Sequence, residues 1–357
     1  MKRFDLPTPA LVADLDRVTG NMDRMAQCLL GTPVRLRPHY KSHKCAALAH
    51  RQIAAGAVGM TCAKLSEAED LIFSGVNDVL IANQVVERGK VDDLARLARL
   101  SRLTVCVDDV NNAKDLSLAA AYAGSTVHCL VEYDIGMDRC GTRTPEGFLA
   151  VAQAVARLPN LCYEGIQAYA GHVSHMISSD DRRTATRENE RKVAALMEFL
   201  RRHGLETQTV SGGSTGTCGF KAGGGVYTEL QPGSYLFLDT TYGQLDLPFQ
   251  NALFVLATVV SKQNDTVILD VGVKGLGADQ DSPVVLDSQG NRLSGYCELN
   301  EEHLKLYDSH WAPSVGDKAI VIPGHCCSTV NLYDWLYLYR RDAIVERVAV
   351  TARGRSQ

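Results

Sequence analysis

Eight residues, Arg37-Pro38-His39-Tyr40-Lys41-Ser42-His43-Lys44, place two lysines, two histidines and an arginine directly after the short stretch Pro33-Val34-Arg35-Leu36. A lysine held among cations is pushed toward its neutral form, and a neutral amine is the nucleophile that Schiff-base chemistry needs. A solvated basic turn is the plainer reading of the same residue types. Position favours chemistry: the run closes the first strand of what reads as a (β/α) barrel, where catalytic groups collect at the C-terminal strand ends.

Other strand ends carry further candidates. Glu132-Tyr133-Asp134-Ile135-Gly136-Met137-Asp138-Arg139-Cys140-Gly141 closes the fifth strand, and Gln167-Ala168-Tyr169-Ala170-Gly171-His172-Val173-Ser174-His175 closes the sixth. Ser211-Gly212-Gly213-Ser214-Thr215-Gly216-Thr217 follows the seventh, and Pro232-Gly233-Ser234-Tyr235 the eighth. Glycines let backbone N–H groups approach phosphate oxygens, and hydroxyls add donors. Such loops are common by themselves. Joined to a lysine at the first strand end they describe a pyridoxal phosphate site, with Lys41 or Lys44 as the amine and Ser214, Thr215, Gly216, Gly233, Ser234 and Tyr235 as the phosphate end. Arg139 can face the pyridine nitrogen or pair with Asp134 or Asp138, and Tyr169 can pack on the ring or hydrogen-bond to it. His175 is a candidate base or metal neighbour, or a plain surface histidine.

His325-Cys326-Cys327 follows the strand-like Ala319–Ile322. In extended backbone residues i and i+2 share a face, so His325 and Cys327 can share an ion while Cys326 points away. Imidazole with thiolate suits Zn²⁺ and tolerates other transition ions, and two ligands leave positions open for water or substrate. Packed side chains are the alternative.

The elements that must position these groups are legible. A strand at Ala10–Asp14 and a helix from about Arg17 to Leu30 open the chain. Eight strand candidates follow, at Val34–Tyr40, Ala57–Ala63, Asp78–Asn83, Leu103–Asp108, Val127–Asp134, Cys162–Ala168, Gln208–Ser211 and Glu229–Tyr235. Amphipathic helix patterns lie between most of them, and their near-continuous apolar runs fit strands buried on both faces. A doubly wound sheet gives similar alternation; the count of eight favours the barrel. Beyond Pro248 the texture becomes short strands and turns, at Leu253–Val260, Thr266–Val271, Val284–Asp287, Ala319–Ile322, Leu336–Arg340 and Ala343–Val350. The expected architecture is α/β: a (β/α)8 TIM barrel over 20–247, then a β domain over 248–357 that the N-terminal strand of 1–19 joins.

Composition bounds the rest. A formal charge of −4 over 357 residues argues against nucleic acid or an anionic membrane as main partner. No apolar run approaches the ~20 residues that span a bilayer, and Met1–Pro7 lacks the apolar core of a signal peptide. Cys28, Cys62, Cys106, Cys129 and Cys162 lie inside apolar runs, as free thiols do in a reducing compartment. A cytoplasmic protein acting on a small molecule is expected.

Several stretches together resemble one family, the metal-activated pyridoxal enzymes of alanine-racemase-like fold that include D-threonine aldolase and eukaryotic-type D-serine dehydratase. They are Thr8–Val12, Arg37–Lys44, Asp134–Gly141, Gln167–Gly171, Gly212–Thr217, Tyr227–Tyr235, Asn300–His303, Pro323–Asp334 and Val350–Gly354, so the match covers essentially the whole chain. The resemblance implies that Lys41 rather than Lys44 holds the pyridoxal, that Arg139 and Tyr169 flank its ring, that His325 and Cys327 bind a divalent ion such as zinc or manganese, and that His175 stands near that ion and the substrate's β-oxygen. It also implies a homodimer in which the β domain of one chain closes the barrel mouth of the other.

The run Thr329–Asp334 resembles the aldolases, whereas Cys327, where they commonly carry aspartate, resembles the D-serine and 3-hydroxyaspartate dehydratases; histidine is also often found where Ala170 stands. The reaction expected is cleavage of D-3-hydroxy-amino acids such as D-threonine to glycine and an aldehyde, with the ion acidifying the β-hydroxyl and His175 taking its proton. The alternative is a dehydratase, in which Lys41 takes the α-proton and the products are a 2-oxo acid and ammonia. A pyridoxal racemase and a non-catalytic pyridoxal carrier are the remaining readings, and neither has a use for His325 and Cys327.

Overall fold

A computed structural model describes residues 1–308 and 310–357. The chain divides into two compact units: 26–41 with 48–233 and 355–357, and 1–25 with 42–47 and 234–354.

After β1 (Ala10–Asp14) and α1 (Leu15–Leu29) the first unit alternates strand and helix. Its elements are β2 (Arg35–Leu36), α2 (Ala46–Ala54), β3 (Met60–Cys62), α3 (Leu65–Phe73), β4 (Asp78–Gln84), α4 (Arg88–Leu97), β5 (Arg102–Val107) and α5 (Val110–Ala123). The alternation continues with β6 (Val127–Glu132), α6 (Pro145–Arg157), β7 (Leu161–Ala168), α7 (Ser179–Arg202), β8 (Thr209–Gly212), α8 (Cys218–Ala222) and β9 (Glu229–Leu230). Local chemistry sets the helix starts. Thr144 caps α6 by accepting from the Gly147 N–H ahead of Pro145, and Asp109 caps α5 by accepting from the Asn111 and Asn112 N–H groups. Gly124 ends α5 in the left-handed region, φ 66°, which a residue with a Cβ avoids.

The eight strands pair in parallel in the order β2-β9-β8-β7-β6-β5-β4-β3. The sheet closes on itself between β2 and β3, where the Val58 N–H donates to the Leu36 carbonyl at 2.9 Å and the Thr61 N–H to the Pro38 carbonyl at 2.8 Å. The expected barrel is present, built from strands buried on both faces, with Leu80, Cys106 and Leu130 packed together. Two strands are much shorter than expected. Regular pairing in β2 and β9 spans two residues each rather than Val34–Tyr40 and Glu229–Tyr235, because Pro38 and Pro232 carry no N–H for the ladder. The extended path still continues past them through Arg37 N–H to Leu230 O (2.9 Å) and His39 N–H to Pro232 O (3.1 Å).

The second unit holds a nine-stranded sheet, mostly antiparallel, of β1, β10 (Leu253–Gln263), β11 (Thr266–Leu269), β12 (Val284–Leu286), β13 (Tyr296–Leu299), β14 (Leu304–Tyr307), β15 (Lys318–Ile322), β16 (Trp335–Arg340) and β17 (Ala343–Ala349). β1 pairs antiparallel with β10 and parallel with β16. β13 escapes the sequence reading because it is a half-exposed edge strand with no buried face to impose alternation, and β14 because its alternation of buried Leu304 and Leu306 spans only four residues. Cross-strand contacts hold β13 instead, with Lys305 Nζ 2.8 Å from Glu298 Oε1.

Candidate functional site

The barrel turns the sequence candidates of the first unit toward one end. Lys41 sits in a 3₁₀ turn, Tyr40–Ser42, beyond β2 and is exposed. Its neighbour Arg37 does not stand beside it as a free cation. The Arg37 guanidinium is buried and reaches the other end of the barrel, where Nη1 lies 2.7 Å from Asp78 and Nε 2.8 Å from Glu229. His43 and Lys44 are buried, and Lys44 Nζ points at the Ala352 carbonyl. The basic run is therefore dispersed by the fold, and Lys41 is its exposed amine.

Beyond β6, Asp134 does not pair with Arg139. Its Oδ1 accepts from the backbone N–H groups of Gly136, Met137 and Asp138, and the partial charge of those donors holds its carboxyl below the usual range against burial, which raises it. Arg139 is left to lie over the half-buried Tyr169 ring, 5.7 Å from its centroid. Behind the pair is a group the sequence reading passed over, Glu132, at the end of β6. Burial pushes its carboxyl up, while a hydrogen bond from Gln84 Nε2 at 2.5 Å and the charge of Arg139 pull it down, and the burial wins. Local sequence showed Glu132 as a strand-end carboxylate and gave no sign of its depth.

The loop after β8 is built for close approach. Gly213 has φ 78°, and a Cβ on it would lie 2.9 Å from Leu230 and 3.1 Å from Lys221. A Cβ on Gly216 would lie 2.0 Å from the Ser174 carbonyl. Ser214, Thr215 and Thr217 are buried, and Ser174 Oγ donates to Ser214 Oγ at 2.8 Å, tying the β7 and β8 strand ends together. Beneath Gly213 runs Lys221, 1% exposed, its Nζ 3.6 Å from the centroid of Tyr227 and without a hydrogen-bond partner among the described residues. Burial drives the Lys221 amine down and the nearby Glu190 carboxyl up. A buried amine that makes no hydrogen bond among the described residues, under a loop of glycines and hydroxyls, is what a bound dianion would stabilise, so these residues fit a phosphate group. Tyr227 links this layer to Tyr169, because its hydroxyl donates to the Ala168 carbonyl at 3.0 Å. His175 is exposed after a 3₁₀ turn at Gly171–Val173, and Gly233 is half-buried just past β9.

The second unit holds the other candidates. Ser234 and Tyr235 open a 3₁₀ turn to Leu236, with Tyr235 buried 5.7 Å from the Phe249 ring centroid. At His325 the backbone differs from the expected extended form. His325 is extended (φ −139°, ψ 119°) as the N-cap of α9 (Cys326–Val330), so Cys327 lies in the first helical turn. The i, i+2 face argument therefore fails. The helical turn nevertheless brings the two side chains together: burial lowers the His325 imidazole, but Cys327 and Asp279 beside it raise it to about 9. Asp279 Oδ2 lies 2.7 Å from His325 Nδ1 while its Oδ1 accepts from Ser328 Oγ, an arrangement that fixes the ring and leaves Nε2 for an ion. The donor set therefore fits a borderline-soft divalent cation. Asp279 is 46 residues from His325, and no local pattern announces it.

At the N-terminal strand ends the picture is different. Glu229, Arg37, Asp78, Arg102, Glu164 and His128 form a continuous ring of opposite charges, with Arg102 Nη2 2.8 Å from Glu164 and His128 Nδ1 2.5 Å from the same oxygen. A column of hydrogen bonds, Gln167 to Gln231 to Ser211 to Glu229, joins this ring to the layer under Tyr169.

Comparison with known proteins agrees with this arrangement. Residues 13–241 match the alanine racemase N-terminal domain, and residues 252–339 match a putative serine dehydratase domain. The chain is 40% identical to a D-threonine aldolase of Arthrobacter sp. over 98% of its length and 93% of that protein's. It is 38% identical to a 3-hydroxy-D-aspartate aldolase of Paracoccus denitrificans, over 99% of this chain and 94% of that one. A D-threo-3-hydroxyaspartate dehydratase of Delftia sp. is more distant, 30% identical over 91% of this chain and 92% of the other. Among solved structures, that of D-threonine aldolase from Filomicrobium marinum superimposes with a TM-score of 0.96 at 39% identity, covering 100% of this chain and 98% of that one.

Proposed function

The chain belongs to the alanine-racemase-fold pyridoxal lyases that include D-threonine aldolase, and on that premise we propose that it cleaves D-3-hydroxy-amino acids to glycine and an aldehyde. The observation that supports this reading is the shared placement, at one end of the barrel, of exposed Lys41, the Arg139–Tyr169 pair and a loop of glycines and hydroxyls over the buried Lys221.

When bound, pyridoxal phosphate supplies an electron sink for the bond broken at Cα, and a divalent ion supplies positive charge for the substrate's β-oxygen. The residues of this chain do the rest. Lys41 offers the amine that holds the cofactor until substrate takes its place. Ser214, Thr215, Gly216 and Gly233, with Ser234 and Tyr235, hold the phosphate. Arg139 would face the ring nitrogen, and Tyr169 would pack on the ring. His175 takes the proton from the substrate's β-hydroxyl, which starts the cleavage. His325 and Cys327 would hold the ion, with Asp279 orienting the imidazole.

A dehydratase is the second reading, and Cys327 is the residue that favours it. The division of labour we propose keeps the cofactor on 20–247 and the ion on 248–357. The assembly proposed is a cytoplasmic homodimer; eleven free cysteines suit a reducing compartment, and among the described residues no helix is long and apolar enough to cross a membrane.

The deciding test incubates the metal-loaded protein with D-threonine and with D-threo-3-hydroxyaspartate, with and without chelator. Glycine plus aldehyde, lost with chelator, is expected. Ammonia plus 2-oxo acid would replace the aldolase with the dehydratase, and neither product would sink both.

A further inference from the structure

The N-terminal end of the barrel contains a second set of metal donors, unrelated to His325 and Cys327. His128 on β6 and Cys162 on β7 are register partners, so their side chains leave the sheet on the same face. Between them β7 carries a bulge: Cys129 pairs with Tyr163 and Leu130 with Gly165, which leaves Glu164 as the extra residue. Bulges of this kind re-aim a side chain. Here Glu164 Oε1 is met by His128 Nδ1 at 2.5 Å and by Cys162 Sγ at 3.6 Å. All three donor atoms lie within 4.8 Å of one another.

Those distances are close to what a first-row divalent ion asks. Metal–ligand lengths of about 2.0–2.3 Å place tetrahedral ligand atoms roughly 3.3–3.7 Å apart. Cys162 and Glu164 already stand at that spacing, and the imidazole must recede by about 1 Å, which small rotations of the side chain supply. One imidazole, one thiolate and one carboxylate balance the charge of a divalent ion. They form a mixed, borderline-soft set that selects zinc-like ions over magnesium or calcium.

Access and competition are also settled by neighbours. Glu164 lines a cavity of about 430 Å³ with Asp78, Arg102, Gln208 and Thr209, open to solvent at the barrel's N-terminal end. Of the three donors only Glu164 lines that cavity, so water to complete the fourth position would enter on its side. Arg102 holds Glu164 Oε1 at 2.8 Å without an ion, but its Nη1 lies 3.6 Å from Asp78, so it keeps a counter-charge when an ion takes Glu164.

We propose that His128, Cys162 and Glu164 bind one zinc-like divalent ion that pins the N-terminal ends of β6 and β7 together. Binding releases the Cys162 thiol proton, leaves His128 neutral and transfers no electrons. This site is independent of the reaction assigned above and of the ion at His325.

The test is metal content of the full chain after loading with Zn²⁺ and removal of free ion, for wild type, Cys162→Ser, His128→Gln and His325→Ala. The expected result is two ions per chain in wild type and one in each variant. One ion in wild type and none in Cys162→Ser would keep this site and remove the one at His325. A zinc content that neither Cys162→Ser nor His128→Gln lowers would overturn the proposal. A second readout guards against misfolding. In Co²⁺-loaded His325→Ala the thiolate-to-cobalt absorption band should persist, and adding Cys162→Ser should erase it while the far-ultraviolet circular dichroism stays unchanged. Loss of the band in His325→Ala alone would also overturn the proposal.

Discussion

The two ends of the parallel barrel are made by the same eight strands and are chemically opposite. At the C-terminal ends the cations are held loosely: Lys41 is exposed, Arg139 lies over a ring and acts on Glu132 only through its charge, and Lys221 is buried near Glu190 with no hydrogen-bond partner among the described residues. At the N-terminal ends the cations Arg37 and Arg102 each meet two carboxylates, around a ring that runs from Glu229 to His128. One end is left short of hydrogen-bonding partners, as the cofactor site proposed there requires, and the other is paired within the chain. A parallel barrel permits this because all strand termini of one kind fall on one side, so stability and reactivity are separated by direction along the chain.

The comparison is sharpest for substitutions that divide activity from stability. Lys41→Ala should lower kcat/KM at least about 10³-fold and abolish the visible absorption of bound pyridoxal, with unfolding free energy changed by less than about 0.5 kcal/mol. Arg37→Met, four residues earlier, should do the reverse. It leaves Asp78 and Glu229 without their shared cation, a loss of about 3–5 kcal/mol measured as a lower denaturant midpoint at unchanged slope. Its kcat in the folded fraction should stay within about tenfold of wild type. If Arg37→Met instead removes activity at full stability, the separation of the two ends is wrong.

Smaller effects probe the layers behind the site. Asp279→Asn should weaken metal binding at His325 about 10–100-fold, read by chelator competition, because the imidazole loses the carboxylate that orients it. Lys221→Met should weaken pyridoxal phosphate affinity about tenfold, measured by titrating the apoprotein. Burial depresses the Lys221 amine, so the free protein loses that charge at lower pH than an exposed lysine would. Wild-type affinity should therefore fall as pH rises through that range, and the Met variant should not follow. Equal pH dependence in both proteins would remove Lys221 from the phosphate end.

Much of this arrangement was legible before any coordinates. The barrel follows from eight apolar runs with helices between them, and the Arg37–Lys44 run, Arg139, Tyr169 and the Ser214–Gly216 loop are visible as candidates because strand ends can be located from where periodicity stops; the choice of Lys41 over Lys44 comes from the family resemblance. What stayed hidden depends on distance across the fold. Arg37 read as a neighbour of Lys41, yet its long side chain follows the barrel interior to Asp78 and Glu229, 41 and 192 residues away. Asp279 and Glu132 carry no motif. Cys162 read as a small hydrophobe, and only the register of β6 against β7 sets it beside His128. The geometry at His325–Cys327 was misjudged because a helix starts within the motif, and three residues are too few to show a period.

The mildest expected effect tests whether the N-terminal ring is a structural device in its own right. The hydrogen bond from His128 is the largest influence on the Glu164 carboxyl, and with the charge of Arg102 it outweighs burial and holds the group down to about 2 against an ordinary 4.5. A carboxylate depressed in the folded chain adds stability above its unfolded value and loses it as pH falls toward the folded one. The window is therefore pH 4.5 down to 2. The full shift would correspond to more than 3 kcal/mol, but partial exposure screens the pair, so about 1 kcal/mol is expected. Glu164→Gln should be less stable than wild type by that amount at pH 7 and equal to it near pH 2, measured by urea unfolding across the range with the metal removed. A constant difference at all pH values would mean that Glu164 acts through packing alone and that the ring's charges do not hold the barrel's closed end together.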